Sequence, residues 1–125
     1  MLNSLEAALL SAEAADDKQA IEILVLDLRK LTYITDYFVI CSCSNVSQVG
    51  AVADWIGQKL ANAGKHTSHI EGQAESSWVL MDYDDVVVHI FDEQTRLYYS
   101  LEKLWGDAPR VPLPFMAASV QGAAR

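Results

Sequence analysis

Residues 78–91, WVLMDYDDVVVHIF, set two β-rich apolar runs on either side of an aspartate cluster. Val, Ile, Phe and Trp suit a pleated, half-buried surface, and aspartate tolerates the left-handed backbone of a tight turn. The stretch predicts an antiparallel hairpin turning at Tyr83-Asp84, with Asp82 facing Asp85, Leu80 facing Val87 and Trp78 facing His89. Val79, Met81, Val86, Val88 and Ile90 then form one wholly apolar face, which is core. Trp78, Leu80, Asp82, Asp85, Val87, His89 and Phe91 form the other, an aromatic face with two acids at one end and a candidate contact surface.

The rest of the chain supplies partners for this hairpin. Leu2, Leu5, Leu9 and Ala12 recur at helical spacing, so residues 3–16 read as an amphipathic helix closed by Asp16 and Asp17. Residues 21–28 and 36–42 are short β-rich runs that read as strands buried on both faces. Asn45 is placed as an N-cap with Gln48 three residues on, and Val49, Ala53, Ile56 and Leu60 stripe a helix ending near Gly64. Strand, helix and strand in that order predict a crossover unit. Residues 66–72 are a weaker strand and 72–77 a loop by composition. Asp92 caps a last helix in which Leu97, Leu101 and Leu104 face inward, with Gly106 just past its end. The expected fold is α/β: a single domain over residues 1–107, ordered α-β-β-α-β-β-β-α, with a mixed five-stranded sheet and three main helices. Residues 108–125 hold all three prolines, end in small residues and read as a flexible tail.

At 125 residues the chain is long enough for a core without staples. No apolar run approaches the roughly 18 to 20 residues of a membrane span. The opening residues lack a basic segment and carry Glu6 and Glu13, which points away from a signal peptide and toward a cytoplasmic protein. Cys41 and Cys43, two apart in a strand, are not expected to form a disulfide. Seventeen acids against nine bases leave a net charge of −8, and residues 71–107 alone hold nine acids and two bases. That balance favours a basic protein partner over direct nucleic-acid binding.

Asp82 and Asp84 have the D-x-D spacing that holds metal ions in nucleotidyl transfer. Asp84 falls in the predicted turn, however, and there is neither a Gly-Ser pair nor a glycine-rich phosphate cradle. His66 and His69, three apart in a strand, point to opposite faces, and two cysteines cannot complete a four-thiolate site. His89 beside Trp78 is more often structural or interfacial than catalytic. No catalytic residue, metal or cofactor is expected. Tyr98, Tyr99 and Trp105 exceed what the last helix needs for packing, and such aromatics favour protein interfaces.

Several of these stretches, TDYFVICS (35–42), VGAVADWI (49–56), Glu71-Gly72, WVLMDYDDVVVHIF (78–91) and RLYYSLEKLW (96–105), resemble the ribosomal silencing factor family, also called the Iojap or RsfS family. The resemblance spans residues 2–106. It implies a domain similar in topology to nucleotidyltransferases but without their catalytic set. It also implies binding to the large ribosomal subunit through large-subunit ribosomal protein fourteen, on the face that meets the small subunit. Subunit joining is thereby blocked and translation lowered under starvation or in stationary phase. The family's contact residues carry over to Trp78, Asp82 and Tyr99, and Asp85, His89 and Leu101 match family positions too. Many relatives have glycine where this chain has Cys43 and Asp84. Two other functions stay open: a ribosome-assembly factor at the same site, and a metal-dependent enzyme using Asp82 and Asp84. An exposed patch of Trp78, Leu80, Val87 and Phe91 further predicts a weak homodimer of the free protein.

Overall fold

Two asparagines start the long helices. In α1 (Ser4–Asp17), Asn3 Oδ1 accepts from the Glu6 N–H at 2.8 Å and Glu6 Oε1 accepts from the Asn3 N–H at 3.0 Å, a reciprocal cap. In α2 (Val46–Asn62), Asn45 Oδ1 accepts from the Gln48 N–H at 2.9 Å, as expected. The Gln48 amide also donates to the carbonyls of Lys18 and Gln19 at 3.1 Å, tying the start of α2 to the end of α1. The computed structural model describes residues 2–72 and 76–115, without the side chains of Tyr99, Glu102 and Leu104.

The five predicted strands are present as β1 (Ile21–Asp27), β2 (Tyr37–Cys43), β3 (His69–Glu71), β4 (Trp78–Asp82) and β5 (Val86–Asp92), in the sheet order β1-β2-β5-β4-β3. β2 and β5 are parallel and the other neighbours antiparallel, so the sheet is mixed. The crossover from β2 through α2 reaches β3 at the far edge, leaving two positions that β5 and β4 fill. The central strands β2 and β5 are buried almost throughout, which their unbroken apolar runs require. β1 is an edge strand whose first two residues are exposed, and only its later part is covered. Gly72 (φ +87°) turns the chain from β3 toward β4, where a Cβ would lie 2.5 Å from the Trp78 carbonyl oxygen.

One face of the sheet packs under α1 and α2, with Val39, Val88, Ile90, Val52, Ile56 and Leu60 in its core. The α1 surface that is buried is not the expected leucine stripe. Ala7, Ala8, Ser11, Ala12, Ala14 and Ala15 face inward, while Leu5 is exposed and Leu9 half-buried. Small side chains let the helix approach the sheet and α2 closely, and leucine periodicity does not register that. The other face carries a smaller core of Leu26, Leu28, Ile40, Phe91 and Ala108, flanked by Phe38, Trp78, Leu101 and Trp105.

Two further differences lie at the C-terminal end. The last helix is two helices, α3 (Glu93–Tyr99) and α4 (Leu101–Leu104), separated by Ser100 in a left-handed conformation (φ +47°, ψ +52°). Asp92 Oδ1 caps α3 by accepting from the Thr95 N–H at 2.8 Å, as expected. The break ends the continuous stripe, so Leu97 is 78% exposed and Arg96 points inward instead. The first part of the expected tail, residues 108–115, is laid along the edge of β1. Pro109 O accepts from the Asp27 N–H and the Val111 N–H donates to Val25 O, both at 2.8 Å, and Val111, Leu113 and Phe115 pack against the first core. An otherwise bare strand edge is covered in this way, which is the physical reason a proline-bearing segment holds a fixed path here. Residues 116–125 lie outside the described residues.

Candidate functional site

The hairpin of β4 and β5 pairs Trp78 with Phe91, Leu80 with His89 and Asp82 with Val87. This register is displaced by two residues from the expected one, because the turn is built on Asp84-Asp85 and closed by the Tyr83 N–H donating to Val86 O at 2.8 Å. Side chains alternate with period two, so a displacement of two leaves nearly every one on its predicted face. Val79, Met81, Val86, Val88 and Ile90 are all buried in the first core, joined by Tyr83.

The three aspartates of the turn do different things. Asp84 takes the left-handed conformation (φ +72°), and the Asp85 N–H donates to Tyr83 O at 2.9 Å across it. Asp82 Oδ1 accepts from the Asp84 N–H at 2.8 Å, and Ser68 Oγ lies 3.1 Å from both Asp84 Oδ1 and the Asp82 carbonyl. The carboxylates of Asp82 and Asp84 therefore both serve the turn. Asp85, expected on the aromatic face, turns away from it. Lys65 Nζ, just past α2, stands 3.0 Å from its Oδ1 and 3.2 Å from its Oδ2, drawing the side chain toward the helical layer.

His89 is 4% exposed and enclosed by rings: Phe38 edge-on at 4.6 Å, Trp78 at 5.9 Å and Phe91 stacked at 6.1 Å. The Trp78 indole N–H donates to His89 Nδ1 at 3.2 Å, which fixes the neutral tautomer with its proton on Nε2. Nε2 is buried and meets no hydrogen-bond partner among the described residues. Burial pushes the His89 pKa down to about 4, because the charged form has no compensating neighbour. Burial likewise raises the Cys41 thiol and brings Cys43 up to about 11, so neither is a ready nucleophile.

The structure thus gathers Trp78, His89 and Leu101 into one aromatic cluster, with Asp82 at the far end of the same strand face and Asp85 apart. The backbone of Tyr99 ends α3, and its side chain lies outside the described residues. The expected exposed patch is a correction. Phe91 and Val87 are buried and Trp78 and Leu80 half-buried, with Leu101, Trp105 and Ala108 packed into the core on this face, so the patch is smaller than expected. Sequence reasoning passed over Phe38, which shares the face with Ile40 by simple alternation. It also passed over buried Arg96, whose guanidinium donates to Glu22 O and to Ser42 Oγ. No local pattern marks that arginine.

The sequence matches the family described as ribosomal silencing factor during starvation over residues 2–125. The chain belongs to that family. The match reaches past residue 106, where the recognisable motifs stop, and takes in the segment along β1. Among its relatives is the ribosomal silencing factor of Bacillus subtilis, 45% identical over 106 residues that make up 85% of this chain and 90% of that protein. The chloroplastic Iojap protein of Zea mays is 38% identical over 107 residues, 83% of this chain and 45% of that longer protein. A crystal structure of a Chromobacterium violaceum protein superposes with a TM-score of 0.81 at 35% identity, covering 84% of this chain and 88% of the other. Among the described residues, no helix is long and apolar enough to cross a membrane.

Proposed function

We propose that this silencing factor is a cytoplasmic translational repressor that works by occupancy, with no catalytic step and no cofactor. It binds the large ribosomal subunit through large-subunit ribosomal protein fourteen and blocks subunit joining, lowering translation under starvation or in stationary phase. The observation that carries this reading is the family match over the whole chain. A domain of this length has a radius of gyration of about 14 Å and is about 35 Å across, an obstacle that a subunit interface cannot accommodate. Trp78, Asp82, Tyr99 and Leu101 form the contact set, and His89 holds the Trp78 indole from beneath. The acids of residues 71–107 steer the domain to a basic protein surface.

The metal-dependent alternative is disfavoured by the hairpin turn, which already engages the carboxylates of both Asp82 and Asp84. The test is sedimentation of the tagged protein with ribosomal particles from lysate. Retention of large subunits carrying the fourteenth protein, with fewer joined ribosomes on titration, is expected. Retention of intact translating ribosomes defeats occupancy, and binding confined to immature large-subunit particles assigns the protein to assembly instead.

A further inference from the structure

The connection between β1 and β2 sends Tyr33 (106% exposed) and Ile34 (81% exposed) into solvent, with Leu31 partly exposed beside them. Its backbone is nevertheless built. The Leu28 N–H donates to Asp36 O at 2.8 Å and closes the base. The Leu31 and Thr32 N–H groups donate to Leu28 O at 2.9 and 3.1 Å, and the Ile34 N–H donates to Thr32 Oγ1 at 3.2 Å. Leu28 and Thr35 are buried at its two ends. Arg29 is held by Asp27, with Nη2 2.7 Å from Oδ2, and lies over the Tyr37 ring. An apolar tip on a hydrogen-bonded base loses little conformational entropy when it docks.

The surroundings of this tip define what fits it. β2 begins where β5 begins, so the loop borders the aspartate turn of the hairpin, and the Asp36 and Tyr37 N–H groups donate to the Asp85 carbonyl at 2.9 and 3.2 Å. The tip is therefore bordered by the acids Asp36, Asp82 and Asp84, none of them buried, while Asp85 is paired with Lys65; of the two bases that precede Leu31, Arg29 is paired with Asp27 and Lys30 is exposed. An apolar centre within an acidic rim matches a protein surface that offers a pocket inside a basic rim. With Asp36, Asp82 and Asp84 against Lys30, the single unpaired base there among the described residues, the rim keeps a net negative charge, which disfavours phosphate backbones, anionic lipids and a second copy of the same surface.

We propose that residues 31–34 are a docking element of this protein, which places Tyr33 and Ile34 in an apolar pocket of a basic partner protein. It rests on the occupancy reading and deepens it: the contact surface extends from Trp78 along β4 past Asp82 to the loop. Trp78 and Asp82 are four residues apart, about 13 Å along a strand. An interface of ordinary size, about 800 Å² per partner, encompasses both ends.

The experiment compares wild type, Tyr33→Ala/Ile34→Ala and Trp78→Ala for binding to purified large ribosomal subunits, with thermal unfolding measured on each. The loop variant is expected to unfold at the wild-type temperature and to bind about thirtyfold more weakly. If wild type binds and the loop variant stays within twofold of it, the loop proposal fails while occupancy stands. If wild type does not bind large subunits, occupancy fails and takes the loop with it. Retention of wild type but not the variant on phosphatidylserine vesicles would overturn the protein partner. So would a wild-type dimer in light scattering that the loop variant abolishes.

Discussion

Replacing Arg96 with methionine removes a buried guanidinium that joins three separate pieces of chain. It donates to Ser42 Oγ on β2 at 2.9 Å and to the Glu22 carbonyl on β1, while its own backbone lies in α3. Ser42 is 1% exposed, so water does not replace the lost donor there. Hydrogen bonds from a charged group contribute about 1.5 to 3 kcal/mol each, and relief of the desolvation of a buried charge offsets part of the loss. The expected destabilisation is about 2 to 4 kcal/mol, which for a domain of this size lowers the melting temperature by roughly 10 °C. One nitrogen, Arg96 Nη1, donates to both acceptors, so Arg96→Lys, which keeps the charge and a multiple donor on a shorter side chain, should lose about half as much. Urea unfolding followed by circular dichroism measures both variants. A loss under about 1 kcal/mol for Arg96→Met would refute the assignment of α3's seating to this side chain. Because α3 leads into Leu101 and Trp105, the same variant should also show increased indole exposure in fluorescence quenching.

Other consequences are testable separately. His89 has a folded pKa of about 4, below its unfolded value near 6.5, so its contribution to stability is whole above pH 6.5 and is lost as pH falls toward 4; between pH 7 and 5 the wild type should lose about 2 kcal/mol more in urea titrations than His89→Phe. Glu22 holds φ +50° at the irregularity in β1, so Glu22→Gly should raise stability by up to about 1 kcal/mol in the same assay, and a decrease would show that the side chain matters more than the backbone. Asp82→Asn keeps the acceptor that caps the turn and should reduce the salt dependence of the association rate with large subunits in stopped flow, and Asp84→Asn, which removes a second charge of the same rim, should do so too. Trp78→Ala should weaken that binding and also lower the melting temperature, since the indole packs on Phe91 at 4.9 Å and donates to His89; an unchanged melting temperature would contradict the aromatic cluster.

Local chemistry made much of this fold legible. Asn3, Asn45 and Asp92 each cap a helix through a side-chain oxygen and an N–H three residues on, a contact that depends on neighbours alone. The two faces of the β4–β5 hairpin follow from alternation, and they survive a register displacement of two because alternation has the same period. The registers themselves, and what lies above each face, depend on segments far away in the chain. Asp85 leaves the aromatic face because Lys65, just past the end of α2, lies beside it, and Phe91 is buried because the chain after Ser100 returns over it. Arg96 is inward because its acceptors, Glu22 and Ser42, arrive from 74 and 54 residues away. Residue pattern sets which side chains share a surface, but burial of that surface is a relation between two surfaces, and only the folded chain brings the second one to the first.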